Sequence, residues 1–310
     1  MKKKMFNDTH IEGWIYEHKL EAKVSGENSK NPGTEYITGT LDIATDNACT
    51  NIVSIHFTYV TPTTSTGKTN ATYTVLNNII NGVYKTVMKD GKDSATKVRV
   101  DSAIGLNEFY SDRSGKEELV SAKRNEGGFI HVTDTLDEDE THRSTFNCDM
   151  IINHVSRIEA DDEKGTPEKA IIKGCIFDFR NAILPVEFTA LNPNAMNYFE
   201  DLGASEAHPV FTRVQGRQIS ENIVHRVVEK GAFGEDHVKE ISSKHKDFVI
   251  TWAAELPYEW DDESTITVNE LSEAIAKRET YLATIKQRQD EYNASKGNKA
   301  AAPATGGFKF

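Results

Sequence analysis

The stretch IEGWIYEHKLEAKV, residues 11–24, has the pattern of a long β-strand that a glycine interrupts. Ile11, Gly13 and Ile15 fall on one face of such a strand. A glycine inside a strand usually marks a bulge or a sharp coil. The first strand of a small closed barrel must bend strongly so that it can serve both halves of the barrel. The stretch therefore predicts the opening strand of a small β-barrel.

The segments after this strand continue the same pattern. Residues 35–45 and 51–60 alternate apolar and polar side chains, as half-buried strands do. Residues 70–88 then carry apolar side chains at helical spacing. A bent first strand, two alternating strands and a helix are the start of an OB-fold, a five-stranded Greek-key barrel. Further strands are predicted near residues 96–103, 106–111, 127–133 and 144–158.

The Ile-x-Gly-x-Ile pattern of the first strand recurs in IIKGCIFDF, residues 171–179. Ile172, Gly174 and Ile176 take the places of the two isoleucines and the glycine. Two barrels in tandem would explain the repeat, whereas coincidence of a short and common strand pattern is the alternative. The segments expected in this half are strands at 169–180, 183–190 and 210–221, a helix from 192 to 202, and a hairpin of 222–230 with 237–253.

The fold class predicted is mainly β, with tandem OB-fold-like barrels, a long C-terminal helix and a disordered tail. Thr267 is a plausible N-cap of that helix, with Glu270 three residues later in capping-box spacing. The helix is a candidate surface for homo-oligomer formation. The domain bounds expected are 1–160 for the first barrel, 165–262 for the second, 266–295 for the helix and 296–310 for the tail.

Composition narrows the class of protein. The 310 residues carry a net charge of −12, which is atypical of a protein that binds polyanions. Its acidic runs at 134–140, 159–163 and 259–263 are interpreted as solvated loops rather than metal sites. No apolar run approaches the ~18 residues of a membrane span, and the start has no apolar signal segment. Three widely spaced cysteines indicate a reducing, cytoplasmic setting without disulfides or zinc.

Catalytic motifs give no positive signal. The stretch TPTTSTGKT, residues 61–69, ends like a phosphate-binding P-loop, but Pro62 stands where that loop needs glycine. A flexible loop is the better interpretation, with Lys68 near its tip able to reach a phosphate backbone. The histidines form no metal-ligand spacing. No enzyme activity and no cofactor are therefore predicted.

Aromatic and basic residues on the strands suggest a nucleic-acid surface. If the apolar side chains face the barrel core, several aromatic rings share the outer face, where bases could stack on them. The alternative is that another segment covers these rings and they belong to the core. Arg213 and Arg217, four apart on one strand, could follow a phosphate backbone or pair with acids. The candidate binding residues are Trp14, Tyr16, Tyr36, His56, Lys68, Lys173, Phe177, Arg213 and Arg217.

With these residues identified, the chain resembles phage-encoded single-stranded-DNA-binding proteins of the OB-fold type. The resemblance rests on residues 11–24 with 31–46, on residues 171–188 with AHPVFTRVQG at 207–216, and on the terminal GGFKF at 306–310. It covers most of the chain. The general single-strand-binding family ends in an acidic tip with a final Phe, whereas this chain carries Lys309 before Phe310. The resemblance implies an accessory role in phage DNA replication or recombination, in the host cytoplasm.

The function expected is non-enzymatic binding of single-stranded DNA with little sequence preference. Binding should be tighter than to duplex and strongly dependent on salt. The alternative is a phage structural, assembly or adaptor protein that does not bind nucleic acid. No membrane association is expected under either interpretation.

Overall fold

A computed structural model describes residues 5–27, 29–111, 117–160, 167–229, 237–260 and 266–299, with only the backbone of 221–229, 237–245 and 295–299. The first half contains the strands β1 (Asn7–Val24), β2 (Glu35–Ala44), β3 (Ile52–Val60), β4 (Lys97–Ser111) and β5 (Glu118–Val132), with the helices α1 (Ala71–Ile80) and α2 (Val87–Asp90) between β3 and β4. The second half contains β6 (Ser144–Ile158), β7 (Lys169–Phe177), β8 (Ile183–Ala190), α3 (Pro193–Asp201), β9 (Val210–Glu229), β10 (His237–Ala253) and α4 (Val268–Lys299).

Strands β1 to β5 close into a barrel because β1 pairs with both β2 and β4. β2 pairs with β3 and β4 with β5, all antiparallel. A short parallel contact between β3 and β5, at Ile55 and Asn125, completes the ring. The order β1-β2-β3-β5-β4, with α1 between the third and fourth strands, is the Greek-key connectivity of an OB-fold. Its core includes Ile11, Leu41, Phe57, Leu76 and Val100.

Strands β6 to β10 repeat this connectivity. β6 pairs with β7 and β9, β7 with β8, and β9 with β10. A parallel contact of Val249 with Thr189 joins β10 to β8, and α3 lies between the third and fourth strands. The core of this second barrel includes Phe146, Phe188 and Phe248. The prediction of two OB-fold-like barrels followed by a C-terminal helix is confirmed.

The two copies of the Ile-x-Gly-x-Ile pattern do not lie on equivalent strands. Gly13 lies in the first strand of its barrel, whereas Gly174 lies in β7, the second strand of the other barrel. Both glycines nevertheless meet the same requirement. A Cβ on Gly13 would lie 2.0 Å from the Ala44 carbonyl oxygen, and one on Gly174 would lie 2.0 Å from that of Ile151. The barrel fold is therefore repeated, but this short sequence pattern falls on different strands of the two barrels.

Hydrogen bonding assigns β6 to the second barrel. The sequence-based division had kept residues 144–158 in the first domain, which was to end at residue 160. β6 instead pairs along most of its length with β7 and β9. The first strand of the second barrel therefore begins at Ser144, and the other domain bounds remain predictions.

Two local predictions were also wrong in extent. The helix expected over 70–88 ends at Ile80, because Asn81 caps it and Gly82 adopts a positive φ of 70°. β5 begins at Glu118, before the strand expected at 127–133. Its first half pairs with the end of β4, from Ser111 opposite Glu118 inward.

The C-terminal helix α4 is held to the second barrel and to β4. Thr267 and Glu270 form the expected capping box, with the Glu270 amide 3.2 Å from the Thr267 hydroxyl and the Thr267 amide 2.9 Å from the Glu270 carboxylate. Arg278 pairs with the buried Glu108 of β4 at 2.5 Å. Homo-oligomer formation through α4 remains a prediction. α4 runs to Lys299, four residues into the tail expected at 296–310. The rest of that tail lies outside the described residues.

A continuous joint connects the barrels. The start of β1 pairs antiparallel with the start of β6, from Asn7 opposite Cys148 to Ile11 opposite Ser144. A second contact is the buried pair of Asn125 on β5 and Gln218 on β9, whose amides bond reciprocally at 2.8 and 2.9 Å. Because buried amides must find partners, this pair fixes how β9 sits against the first barrel.

None of the helices among the described residues combines the length and the apolar character needed to cross a bilayer.

Candidate nucleic-acid interface

Two of the predicted stacking residues are buried. Trp14 is only 8% exposed, and the cationic groups of Lys92 and Arg143 lie 4.4 and 5.6 Å from its ring centroid. Phe177 is fully buried in a cluster with Met5 and residues of α4. Neither ring can present a face to a base, because other segments of the chain already cover both of them.

The cover over Trp14 is anchored by the buried carboxylate of Glu12. Glu12 is 1% exposed, accepts the Asp137 amide at 2.6 Å and pairs with Arg99 of β4 at 2.9 Å. Arg143 in turn donates to the Asp137 carbonyl at 2.6 Å. The acidic run at 134–140, interpreted as a solvated loop, is thus partly bound to the outer face of β1. The sequence feature that pointed to this buried acid was Glu12 itself, a charged residue in the otherwise uncharged stretch IEGWI.

The remaining aromatic candidates of the first barrel are half-buried. Tyr16 is the extra residue of the bulge between Ile15 and Glu17. Tyr36 packs on the neighbouring Tyr59, with ring centroids 4.6 Å apart. The neighbouring strands β2 and β3 thus place Tyr36 against another ring instead of leaving its face free.

His56 lies on a strand that the second barrel contacts. Burial, and after it the charge of Arg124, lowers the pKa of His56. On the same strand β3, the Ser54 hydroxyl accepts a hydrogen bond from Lys246 of β10 at 3.0 Å. The outer face of β2 and β3 is therefore partly covered.

The basic candidates differ in how far their charges are engaged. Lys68 is exposed in the β3–α1 loop, where its carbonyl accepts the Thr64 amide at 2.8 Å. Lys173 pairs with Glu187 across β7 and β8 at 2.9 Å. An exposed ion pair between a lysine and a glutamate is easily broken. Both Lys68 and Lys173 therefore remain candidates for binding.

Arg213 serves as a clamp. It donates to the buried Asp149 of β6 at 2.8 Å and stacks 3.9 Å from the Phe6 ring. Asp149 also accepts the Phe6 amide at 2.8 Å and the Tyr258 hydroxyl at 3.1 Å. The arrangement repeats that of Glu12 and Arg99, with an acid on the first strand and an arginine on the fourth. Asp149 and Arg213 therefore hold Phe6 and Tyr258 against the second barrel.

Arg217, by contrast, lies in a groove that crosses both barrels. The groove encloses about 1220 Å³. Neighbouring residues of five successive strands line its floor, each directly opposite the next: Phe129, Asp101, His10, Thr145 and Arg217. They face outward because the alternating residues beside them, including Ile11, Val100, Ile130 and Phe146, are buried.

Two strongly exposed rings border this groove. Phe129 of β5 is 71% exposed and Phe179, in the β7–β8 turn, is 80% exposed. Arg180 lies over the Phe179 ring at 4.8 Å. Neither ring was among the predicted site residues. The sequence feature beside Phe129 is the glycine pair 127–128. A Cβ on Gly128 would lie 1.9 Å from the Asp101 carbonyl oxygen, so the backbones approach closely there.

The charges along the groove are mixed. Three carboxylates line it, of which Asp101 is bound by His10 at 2.9 Å and Glu126 by Arg124 at 2.7 Å. The third is the exposed Asp8. The lining cation that is permanently charged is Arg217, and His10 and His142 complete the titratable set. Such a surface offers flat apolar rings and one strong cation, rather than a broad basic track.

The cysteines of the described strands do not provide a nucleophile. Burial raises the pKa of Cys175 to about 12 and that of Cys148 further still. Both therefore remain protonated thiols near neutral pH.

No curated protein sequence matches this chain significantly. The wild-type single-stranded DNA binding protein from Thermus aquaticus is similar in structure, with a TM-score of 0.44 and 8% identity over 84% of this chain and 98% of that one. A deletion variant of that protein gives 0.45 and 9%, with the same coverage. The OB-fold assignment rests on the strand connectivity of this chain itself. The YorF family model matches residues 6–288, and the chain therefore belongs to the YorF family.

Proposed function

We propose that the protein binds single-stranded DNA, without catalysis and with little sequence preference, in the groove between its two barrels. The observation that carries the proposal is the pair of exposed rings, Phe129 and Phe179, on a groove that spans both barrels. Unstacked bases need flat faces, and each base stacked on an aromatic ring contributes about 1–3 kcal/mol. Duplex DNA hides its base faces, so a single strand is the better ligand.

The lack of sequence preference follows from the same chemistry. Every base has a π-face, and stacking therefore tolerates any sequence. We propose that the binding serves phage DNA replication or recombination in the host cytoplasm, as the sequence resemblance implies.

The second candidate is an adaptor or assembly protein that does not bind nucleic acid. The observation that favours it is charge: the chain carries a net charge of −12, and three carboxylates line the groove. Phosphates are repelled by such groups unless cations neutralise them. A binding experiment separates the two candidates.

The experiment is a fluorescence anisotropy titration of an oligonucleotide of about 30 nucleotides, single-stranded or duplex, at about 50 mM salt. We expect tighter binding to the single strand. The double variant Phe129→Ala and Phe179→Ala should weaken it by about 2–6 kcal/mol, the sum for two stacked bases. Phe109→Ala is the matched control, because Phe109 is 41% exposed and lies outside the groove. An absence of binding by the wild-type protein would favour the adaptor.

A further inference from the structure

Several basic residues on the strands already have acidic partners. Three basic residues from the outer strand faces of the two barrels form ion pairs at 2.8–2.9 Å. These pairs are Arg99 with Glu12, Lys173 with Glu187, and Arg213 with Asp149. Two of the carboxylates, those of Glu12 and Asp149, are almost fully buried. Removing their arginines to contact a phosphate would leave a buried charge unpaired, which is strongly unfavourable.

Arg217 is in the opposite situation. It lies in the middle of β9, opposite Thr145 on one side and Val249 on the other. Its Nε is buried and has no hydrogen-bond partner among the described residues. A buried donor without an acceptor is unfavourable. The side chain as a whole is only partly buried and lines the groove, where its guanidinium can donate to a ligand oxygen.

Asp139, an acid that feels the charge of Arg217, is engaged elsewhere. Asp139 accepts the Thr141 amide at 2.9 Å. The pKa of Asp139 is lowered, chiefly by its bonds to Thr141 and to a smaller extent by the charges of His142 and Arg217. Among the described residues, no carboxylate forms an ion pair with Arg217.

We propose that Arg217 is the principal phosphate contact of the groove, and that the strand is otherwise held by stacking. This inference rests on the proposed function. The guanidinium matches phosphate geometry and is always charged. Because few phosphates are neutralised, the affinity should depend weakly on salt, in contrast to the strong dependence that the sequence suggested.

The expected size follows from counterion release. For single strands the slope of log K against log salt is about −0.7 per phosphate contact, or about a threefold loss between 50 and 200 mM salt. One or two contacts give a wild-type slope no steeper than about −1.5. Arg217→Gln should weaken binding and make the slope shallower by about 0.7, whereas Phe129→Ala should weaken binding without changing the slope.

The test is a salt series of anisotropy titrations with full-length protein and a fluorescent oligothymidine of about 30 nucleotides, at a fixed pH of about 8, where histidines are ordinarily neutral. Arg217→Lys keeps the charge and should keep the slope, which separates loss of charge from misfolding. Lys30→Gln is the matched control, because Lys30 is an exposed lysine outside the groove, and it should leave the slope unchanged.

Three outcomes would overturn the inference. One is an unchanged slope in Arg217→Gln, a second is a wild-type slope clearly steeper than about −1.5, and a third is a slope change caused by Lys30→Gln instead. No binding by the wild-type protein would contradict the proposed function itself. The two failures are therefore distinguishable.

Discussion

Two aromatic surfaces of the described chain differ in how far their rings are already in contact with other side chains. On the β2–β3 face of the first barrel, Tyr36 packs on Tyr59 at 4.6 Å, and the neighbouring strand β3 is bonded by Lys246 from the second barrel. In the groove between the barrels, Phe129 and Phe179 are 71% and 80% exposed. An aromatic residue on an outward face is thus available for stacking only when no other ring or distant segment of the chain covers it.

The sharpest test of this comparison uses two residues of one stretch, Phe177 and Phe179. Phe177 is fully buried, so Phe177→Ala should lower the free energy of unfolding by about 3–5 kcal/mol. Phe179→Ala should change it by no more than about 0.5 kcal/mol while weakening DNA binding. Urea unfolding of both variants measures the difference. Equal stabilities would show that the packing around Phe177 is described wrongly.

A smaller effect is expected from the clamp on the second barrel. Asp149 accepts bonds from Arg213, Tyr258 and the Phe6 amide. Asp149→Ala should therefore lower the free energy of unfolding by about 1.5–3 kcal/mol, the usual range for hydrogen bonds to a charged group. Asp8→Ala, at an exposed acid of β1, is the control and should stay within about 0.5 kcal/mol of wild type. An Asp149 variant that is as stable as wild type and binds DNA more tightly would return Arg213 to the binding site.

The smallest effect is expected on the face that the sequence favoured. Tyr36→Ala should remove only an aromatic pair, worth about 0.5–1.5 kcal/mol of stability beyond the area it buries, and should leave DNA affinity within about twofold of wild type. Anisotropy titration beside Phe129→Ala measures this. A loss of affinity larger than that of Phe129→Ala would reverse the comparison.

The fold could be predicted from sequence because its signals are local. Alternation in 35–45 and 51–60 and the glycine at position 13 report on single strands and their bends. Strand connectivity then followed from the order of these elements. The assignment of β6 failed because only its pairing with β7 and β9 shows to which barrel it belongs.

The site could not be predicted to the same extent because exposure depends on distant segments. Alternation places Phe177 on an outward face, but Met5 and α4 cover that face. Arg213 and Arg217 look equivalent in sequence and share a strand face. Register opposite β6 gives Arg213 the buried Asp149 and gives Arg217 only Thr145, which decides which of them is free.

The central claim is that a single strand of DNA lies in the groove between the barrels. Photo-crosslinking of an iodouridine-substituted oligonucleotide of about 30 nucleotides, followed by mass spectrometry of the crosslinked peptides, tests it most directly. We expect crosslinks in the peptides that contain Phe129, Phe179 or Arg217. Crosslinks confined to the β2–β3 peptides that contain Tyr36 and Tyr59 would contradict the account.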